Sequence, residues 1–347
     1  MADSGRHLAL IIPGLCGPDS DPPVSDYLQT RPAALDRLLS RSRVQPFPGT
    51  DLDTTLCHCF GLDAAQQGLP VAPLTWLADT GQAGRGYILR ADPVHLRADQ
   101  SCLHLFDSQT FPVTRDEADV LVAAITQFYA HLGWQLQAVR PQRWYLTLAT
   151  VPAITTRSVM QVAGQDINPC LPQGRDAADW HAILNEVQML LHNHPVNFAR
   201  EQRGEPAINS LWFWGGGELP MAVQTAFTRV ASDHPLAMGL ARQADITRVD
   251  IPAGSAELID FAAPGSSLLV TDGLERPMLY GEVERWLERL LQFEQDWFVP
   301  LYEALQRGKL ASLAIYPCNG MCFYISRRQL RTFWKRDRPF ETVCRHD

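Results

Sequence analysis

The residues of this 347-residue chain that invite chemistry are concentrated between 192 and 217. An amphipathic helix runs out at Pro195. A polar linker with Arg200, Arg203 and Gly204 follows, and a short apolar strand, 208–214, empties into Gly215, Gly216 and Gly217. In an open α/β sheet, ligands settle beyond the carboxyl ends of such strands. Glycines there let backbone N–H groups approach an anion with no Cβ in the way. Arginine adds charge-assisted contacts suited to phosphate or carboxylate. The chemistry implied is anion recognition.

The elements that must position these residues alternate. A buried first strand is expected over 8–12, closed by Pro13-Gly14, and a helical piece over 33–43 carries Leu35, Leu38 and Leu39 on one side. The segment 69–77 is apolar but interrupted by Pro70 and Pro73, and Gly81, Gly84 and Gly86 mark a boundary and hinge. Strands over 87–96 and 103–106 then precede Thr114-Arg115-Asp116-Glu117, a capping box in which hydroxyl and carboxylate satisfy orphan amides reciprocally. The helix it opens has Ala118, Leu121, Val122, Ile125, Phe128, Tyr129 and Leu132 at helical spacing and stops at Gly133. With strands 135–139 and 143–148, residues 87–175 read as an inserted α+β domain within a core formed by 1–86 and 176–347. Strand–helix alternation then resumes: helix 177–192, strand 208–214, a helix near 219–232, strand 267–271, a long helix 281–306, and strands 310–316 and 321–326. The expected fold class is α/β, a sheet with helices on both faces plus the smaller insertion.

Composition narrows the function. A net charge of −8 argues against general binding to nucleic acid or anionic lipid. The basic tail, with Arg327, Arg328, Arg331, Lys335, Arg336, Arg338 and Arg345 interleaved with Phe333, Trp334 and Phe340, is read as a solvated last helix whose aromatic face packs on the body, with a nucleic-acid or protein adaptor patch as the alternative. No apolar run reaches membrane-span length and no secretory leader is recognisable, so a cytoplasmic location is expected. The eight cysteines are then expected to be reduced thiols. Cys57-His58-Cys59 and Cys318-x3-Cys322 lack the tight pairing of structural zinc sites, and alternation would put Cys57 and Cys59 on one face of a short strand, in the core.

The pattern His194-Pro195-Val196-Asn197, Arg200, Arg203-Gly204, Pro206 and Asn209, followed by a strand ending in glycines, resembles the archaeal-type cofactor-independent phosphoglycerate mutases of the alkaline phosphatase superfamily. The resemblance is strong over 185–217 and follows element order elsewhere. It implies an alkaline-phosphatase-like sheet and a ligand pocket whose anion-facing groups would be Asn197, Arg200, Arg203 and the amides of Gly215, Gly216 and Gly217. It also implies two divalent metals held by Asp and His at strand ends, with a hydroxyl nucleophile. Paired metals neutralise phosphoryl oxygens and activate the attacking oxygen.

Four stations carry that chemistry in the family, and this chain departs from most of them. After the first strand, where the family has Asp-Gly, Pro13-Gly14 stands, with Asp19 and Asp21 further along. The nucleophile loop corresponds to Pro48-Gly49-Thr50-Asp51 followed by His58, which makes Thr50 and His58 the catalytic candidates. The third station reads Asp272-Gly273-Leu274-Glu275-Arg276, with Asp272 and Glu275 as metal-ligand candidates but no His. The fourth, an Asp-His pair in the family, reads Pro317-Cys318-Asn319-Gly320. The expectation is therefore a degenerate, mutase-like protein that binds no metal cofactor and serves as a regulatory or ligand-binding protein, with a phosphorylated small molecule or a protein as partner. The alternative is a metal-dependent mutase or phosphatase using Mn, Mg or Zn through displaced ligands.

Overall fold

The computed structural model describes residues 5–18, 27, 30–63, 68–99, 102–331 and 335–344. Two compact units emerge: residues 1–64 with 222–347, and residues 65–221.

The first unit is built on a seven-stranded mixed sheet. Its strands run in the order Thr247–Val249, Arg229–Ala231, Gly265–Val270, Arg6–Ile11, Ser312–Tyr316, Met321–Ser326 and Arg43–Pro46. The first five are mutually parallel, whereas Met321–Ser326 is antiparallel to both neighbours. Arg6–Ile11 lies at the centre, flanked on both edges, and Leu10, Ile11 and Ile12 are wholly buried, as a central parallel strand requires. Helices Ala33–Arg41, Ser255–Phe261 and Val283–Phe293 bury Leu35, Leu38, Leu258, Trp286 and Leu290 in the same core.

The long helix expected over 281–306 is one helical run interrupted by a π turn, Glu294–Phe298. The Glu294 carboxylate accepts from the amides of Ala34 (2.6 Å) and Leu35 (3.0 Å), so it caps a neighbouring helix whose own Pro32 cannot.

The second unit is an α+β layer. Its sheet runs Cys102–Asp107, Tyr87–Asp99, Arg143–Leu148, Gln135–Arg140, and Ser210–Gly217 also pairs with Tyr87–Asp99; every pairing is antiparallel. Helices Arg115–Phe128 and Ala177–His192 share its core with Trp134, Trp144, Trp180 and Phe213. The Thr114–Glu117 capping box forms as expected.

Several expectations are corrected. The insertion is wider than 87–175, because the helix Ala177–His192 and the strand Ser210–Gly217 pack and pair with it. Residues 52–59 form a helix, not a strand, because Asp51 and Thr54 close a capping box at its start. Cys57 and Cys59 therefore share no strand face; Cys57 is buried and Cys59 half-buried. The segment after Pro70 is also a helix, Val71–Thr80, since Pro73 falls in its first turn, where no intrahelical amide is needed. The helix expected near 219–232 is absent; a strand, Arg229–Ala231, and then a helix, Pro235–Gln243, follow instead. Of the tail, Phe340 is buried in the core, while Phe333 and Trp334 lie outside the described residues.

Candidate functional site

Two regions gather the expected site residues. The first is the end of the parallel sheet where Arg6–Ile11, Gly265–Val270 and Ser312–Tyr316 terminate. The loops leaving these strands are stitched side by side: Ile12 N–H donates to Tyr316 O (2.9 Å) and Thr271 N–H to Ile11 O (3.1 Å). Gly14, at φ 79°, lies against the backbone of Leu274; a Cβ there would sit 2.6 Å from Leu274 O. Glycine is needed on both counts, conformation and space. The loop before Leu52–Cys59 joins this end through Gly320 N–H to Gly49 O (2.9 Å) and Phe47 N–H to Gly320 O (2.8 Å). The first, second, third and fourth stations thus converge in space.

Their side chains are of a particular kind. Pro13 offers no donor. Cys318, at a strained φ of 64°, is buried, and burial pushes its thiol well above the ordinary range, with Glu275 and Asp51 adding to the effect. Glu275 opens a short helix, Glu275–Leu279, and is 8% exposed. Burial, joined by the charges of Asp53, Asp272 and Asp51, raises its carboxyl to about 8, with Arg276 opposing. Asp272 is exposed. Among the described residues, no three His, Cys, Asp or Glu side chains are grouped so that they could hold a metal ion. Asp19 and Asp21 lie outside the described residues.

The catalytic candidates are not brought together. Thr50 is exposed just before the first turn of Leu52–Cys59, where its amide donates to Thr54 Oγ1 (3.1 Å). His58 occupies the last turn of that helix, with its ring set edge-on to Phe47 at 6.1 Å. At 1.5 Å of rise per residue, roughly 10 Å of helix separates them, too far for a nucleophile and its base.

The second region holds the expected anion pocket, and its groups are engaged internally. Asn197 Nδ2 donates to Leu191 O (2.8 Å) and Ile208 O (2.9 Å), and its Oδ1 accepts from Ile208 N–H (2.8 Å). It clips the helix end to the following strand. Arg200 is fully buried; Nε donates to Pro206 O (2.7 Å), Nη1 to Glu117 Oε2 (2.9 Å), and the guanidinium lies over the Phe111 ring at 5.5 Å. Its Nη2 has no hydrogen-bond partner among the described residues. Arg203 Nη2 binds Glu117 Oε1 and Glu205 Oε2, both at 2.8 Å. Burial works against ionisation of Glu117, but the Thr114 amide and Arg200 outweigh it and hold the carboxyl below its ordinary range.

The glycines are also structural. They lie within the strand Ser210–Gly217 and not beyond its carboxyl end, and that strand belongs to the antiparallel sheet. The expectation that they follow the exit of a parallel strand is therefore corrected. The pairing slips between Ile88 and Arg90, and Gly215 takes φ 64° at that bulge. A Cβ on Gly216 would collide with the Tyr87 hydroxyl and Leu89, and one on Gly217 would meet Pro70 Cβ at 2.8 Å.

The sequence reading missed a buried polar network in the same unit. Arg90 donates twice to Asp92 Oδ1 (3.0 and 2.7 Å), and Trp214 Nε1 donates to Asp92 Oδ2 (2.8 Å). The Tyr145 hydroxyl donates to Asp79, which also binds Arg143. The alternation of charged with apolar residues in 87–94 was the available signal.

Comparison with known proteins gives these geometries a context. No family model matches the chain. It is 23% identical over 254 residues to the 2,3-bisphosphoglycerate-independent phosphoglycerate mutase of Methanosarcina acetivorans, covering 68% of this chain and 60% of the relative. It is 26% identical over 245 residues to the probable enzyme of that name from Geobacter sulfurreducens, covering 66% and 58%. The chain thus spans less than two thirds of the length of the curated relatives it matches. Among solved structures it is similar to a protein from Pyrococcus horikoshii, with a TM-score of 0.50 and 14% identity over 93% of this chain and 88% of that one. A cofactor-independent phosphoglycerate mutase from Thermoplasma acidophilum aligns with a TM-score of 0.42 and 17% identity over 92% and 90%. The chain is thus similar, at 23–26% identity, to curated cofactor-independent phosphoglycerate mutases.

Proposed function

We propose that this divergent relative of the phosphoglycerate mutases is a non-catalytic regulatory or ligand-binding protein that keeps the mutase-like fold without two-metal phosphoryl transfer. The donor set at the strand exits carries this reading. A pair of hard divalent cations takes deprotonated carboxylates and neutral imidazoles. Here the converging positions offer a proline, a protonated buried thiol, a neutral amide at Asn319, and Glu275 beside Asp51, Asp53 and Asp272, with no imidazole at the third or fourth station. Without those imidazoles the set does not fit the family's metals.

The test is an assay with 3-phosphoglycerate and with an aryl phosphate, each with added Mg, Mn or Zn. No turnover above that of the free metal is expected. Regarding ligands, a phosphorylated acid at Arg200 and Arg203 would have to displace Glu117 from both. Ligand binding at those residues requires that 3-phosphoglycerate raise the melting temperature in a chelator, and no shift would leave a protein partner as the remaining form of this reading.

One observation favours the alternative, a metal-dependent mutase or phosphatase with displaced ligands. Asp51, Asp53 and Asp272 stand near enough to Glu275 to raise its proton affinity, and such a concentration of carboxylates is what a cation would relieve. Metal-dependent turnover abolished by Asp272→Asn would establish it.

A further inference from the structure

Outside the anion and carboxylate groups, the loop after the first strand brings two thiols together. Cys16 is half-buried in that loop; Cys344 is buried at the end of the short helix Phe340–Cys344. Asn319 lies between them: its Nδ2 donates to Cys16 Sγ (3.4 Å) and to Cys344 O (3.4 Å). Both segments are anchored on Trp286. Its indole N–H donates to Gly14 O (2.8 Å), a Cβ on Gly17 would lie 3.2 Å from its ring, and its ring lies 6.1 Å from that of Phe340. Phe340 N–H also donates to Asp36 Oδ1 (2.7 Å), fixing the helix that carries Cys344.

We infer that Cys16 and Cys344 form a reversible disulfide, which joins the helix Phe340–Cys344 covalently to the loop after the first strand when a low-molecular-weight disulfide accumulates. Asn319 holds the two segments side by side, and the neighbouring Cys16 thiol with burial holds Cys344 well above the ordinary thiol range. The half-buried Cys16 is the accessible partner. Its thiolate attacks the small disulfide, one S–S bond forms as another breaks, and one small thiolate leaves with the electron pair. Cys344, having lost its proton, then attacks the Cys16 sulfur and expels the second small thiol. Two protein thiols are oxidised and one small disulfide is reduced to two thiols, so electrons and protons balance. The second step joins neighbours bridged by one amide and needs no second encounter. It is slowed by the scarcity of Cys344 thiolate and accelerates as pH rises.

The experiment treats the full chain with oxidised glutathione at pH 8 and follows intact mass and disulfide-linked peptides. Wild type is expected to lose about 2 Da, to yield one peptide pair joining Cys16 to Cys344, and to return to its starting mass with a reductant. Cys16→Ser is expected to show no such loss. Cys344→Ala is expected to hold a stable glutathione adduct on Cys16, and a circular dichroism spectrum like that of wild type checks its fold. A crosslink between other cysteines, such as Cys59 and Cys322, would overturn the inference. So would a 2 Da loss that persists in Cys16→Ser, or a wild type that stops at the glutathione adduct or remains unmodified.

Discussion

Arg200 Nη1 lies 2.9 Å from Glu117 Oε2, joining the last turn of the helix Pro195–Gln202 to the capping box of a helix 83 residues earlier. The guanidinium is fully buried and the carboxylate nearly so, at 0% and 12% side-chain exposure. Removing one partner leaves an uncompensated charge out of water, so Arg200→Met is expected to cost about 2–4 kcal/mol of unfolding free energy in urea titrations. Arg203→Met, whose side chain is 48% exposed, should cost far less. Equal losses would contradict the structural role given to Arg200.

Glu275 yields a pH dependence with a definite sign. Its carboxyl is raised to about 8 in the folded chain, by burial first and neighbouring carboxylates second. The folded state therefore holds a proton that the unfolded chain, near its ordinary value, releases. That contribution to stability is complete below about pH 4 and is lost as pH rises through 8. Glu275→Gln keeps the shape without the titration. It should match wild type in acid and exceed it at pH 9 by on the order of 3–5 kcal/mol, measured by urea unfolding across pH.

Gly216→Ala tests the reading of the glycine run as a packing device. The added methyl would collide with the Tyr87 hydroxyl and Leu89. A loss of roughly 1–3 kcal/mol is expected from overpacking. The companion Gly204→Ala meets open space but sits at φ 71°. Its cost comes from backbone strain alone, about 1 kcal/mol. Thermal denaturation ranks the two; a neutral Gly216→Ala would mean that the glycines are kept for some other purpose.

Asn197→Ala removes three buried hydrogen bonds with one side chain. Leu191 O keeps the His194 amide as donor, but the N–H and C=O of Ile208 both lose the Asn197 partner, and a loss of about 2–4 kcal/mol is expected. A destabilisation this large with no change in the binding of any phosphorylated acid would identify Asn197 as scaffold.

The mutase-like relationship, the α/β class and the central strand were legible in the sequence because buried apolar runs and strand–helix alternation are local signals. The capping box at Thr114 and Glu117 was legible for the same reason. What escaped was long-range. The partner of Ser210–Gly217 is Tyr87–Asp99, and pairing with that strand turned an apparent ligand-facing glycine exit into a bulge inside a second sheet. The cap at Asp51, which the sequence reading took for part of a nucleophile loop, starts a helix and separates Thr50 from His58. Arg200 looked like an anion-binding group because its internal anion, Glu117, is remote in sequence. At the strand exits the residue types were readable, and the raised carboxyl of Glu275 emerged only once Asp51, Asp53 and Asp272 were placed beside it.

The central claim, that the converging strand ends do not hold two divalent cations, is tested most directly by equilibrium dialysis against manganese and, separately, zinc, with bound metal counted per chain. Less than about one tenth of an equivalent is expected at near-neutral pH, because a protonated carboxyl and a protonated thiol are poor ligands. Two equivalents, retained through dialysis and lost in Asp272→Asn, would contradict it.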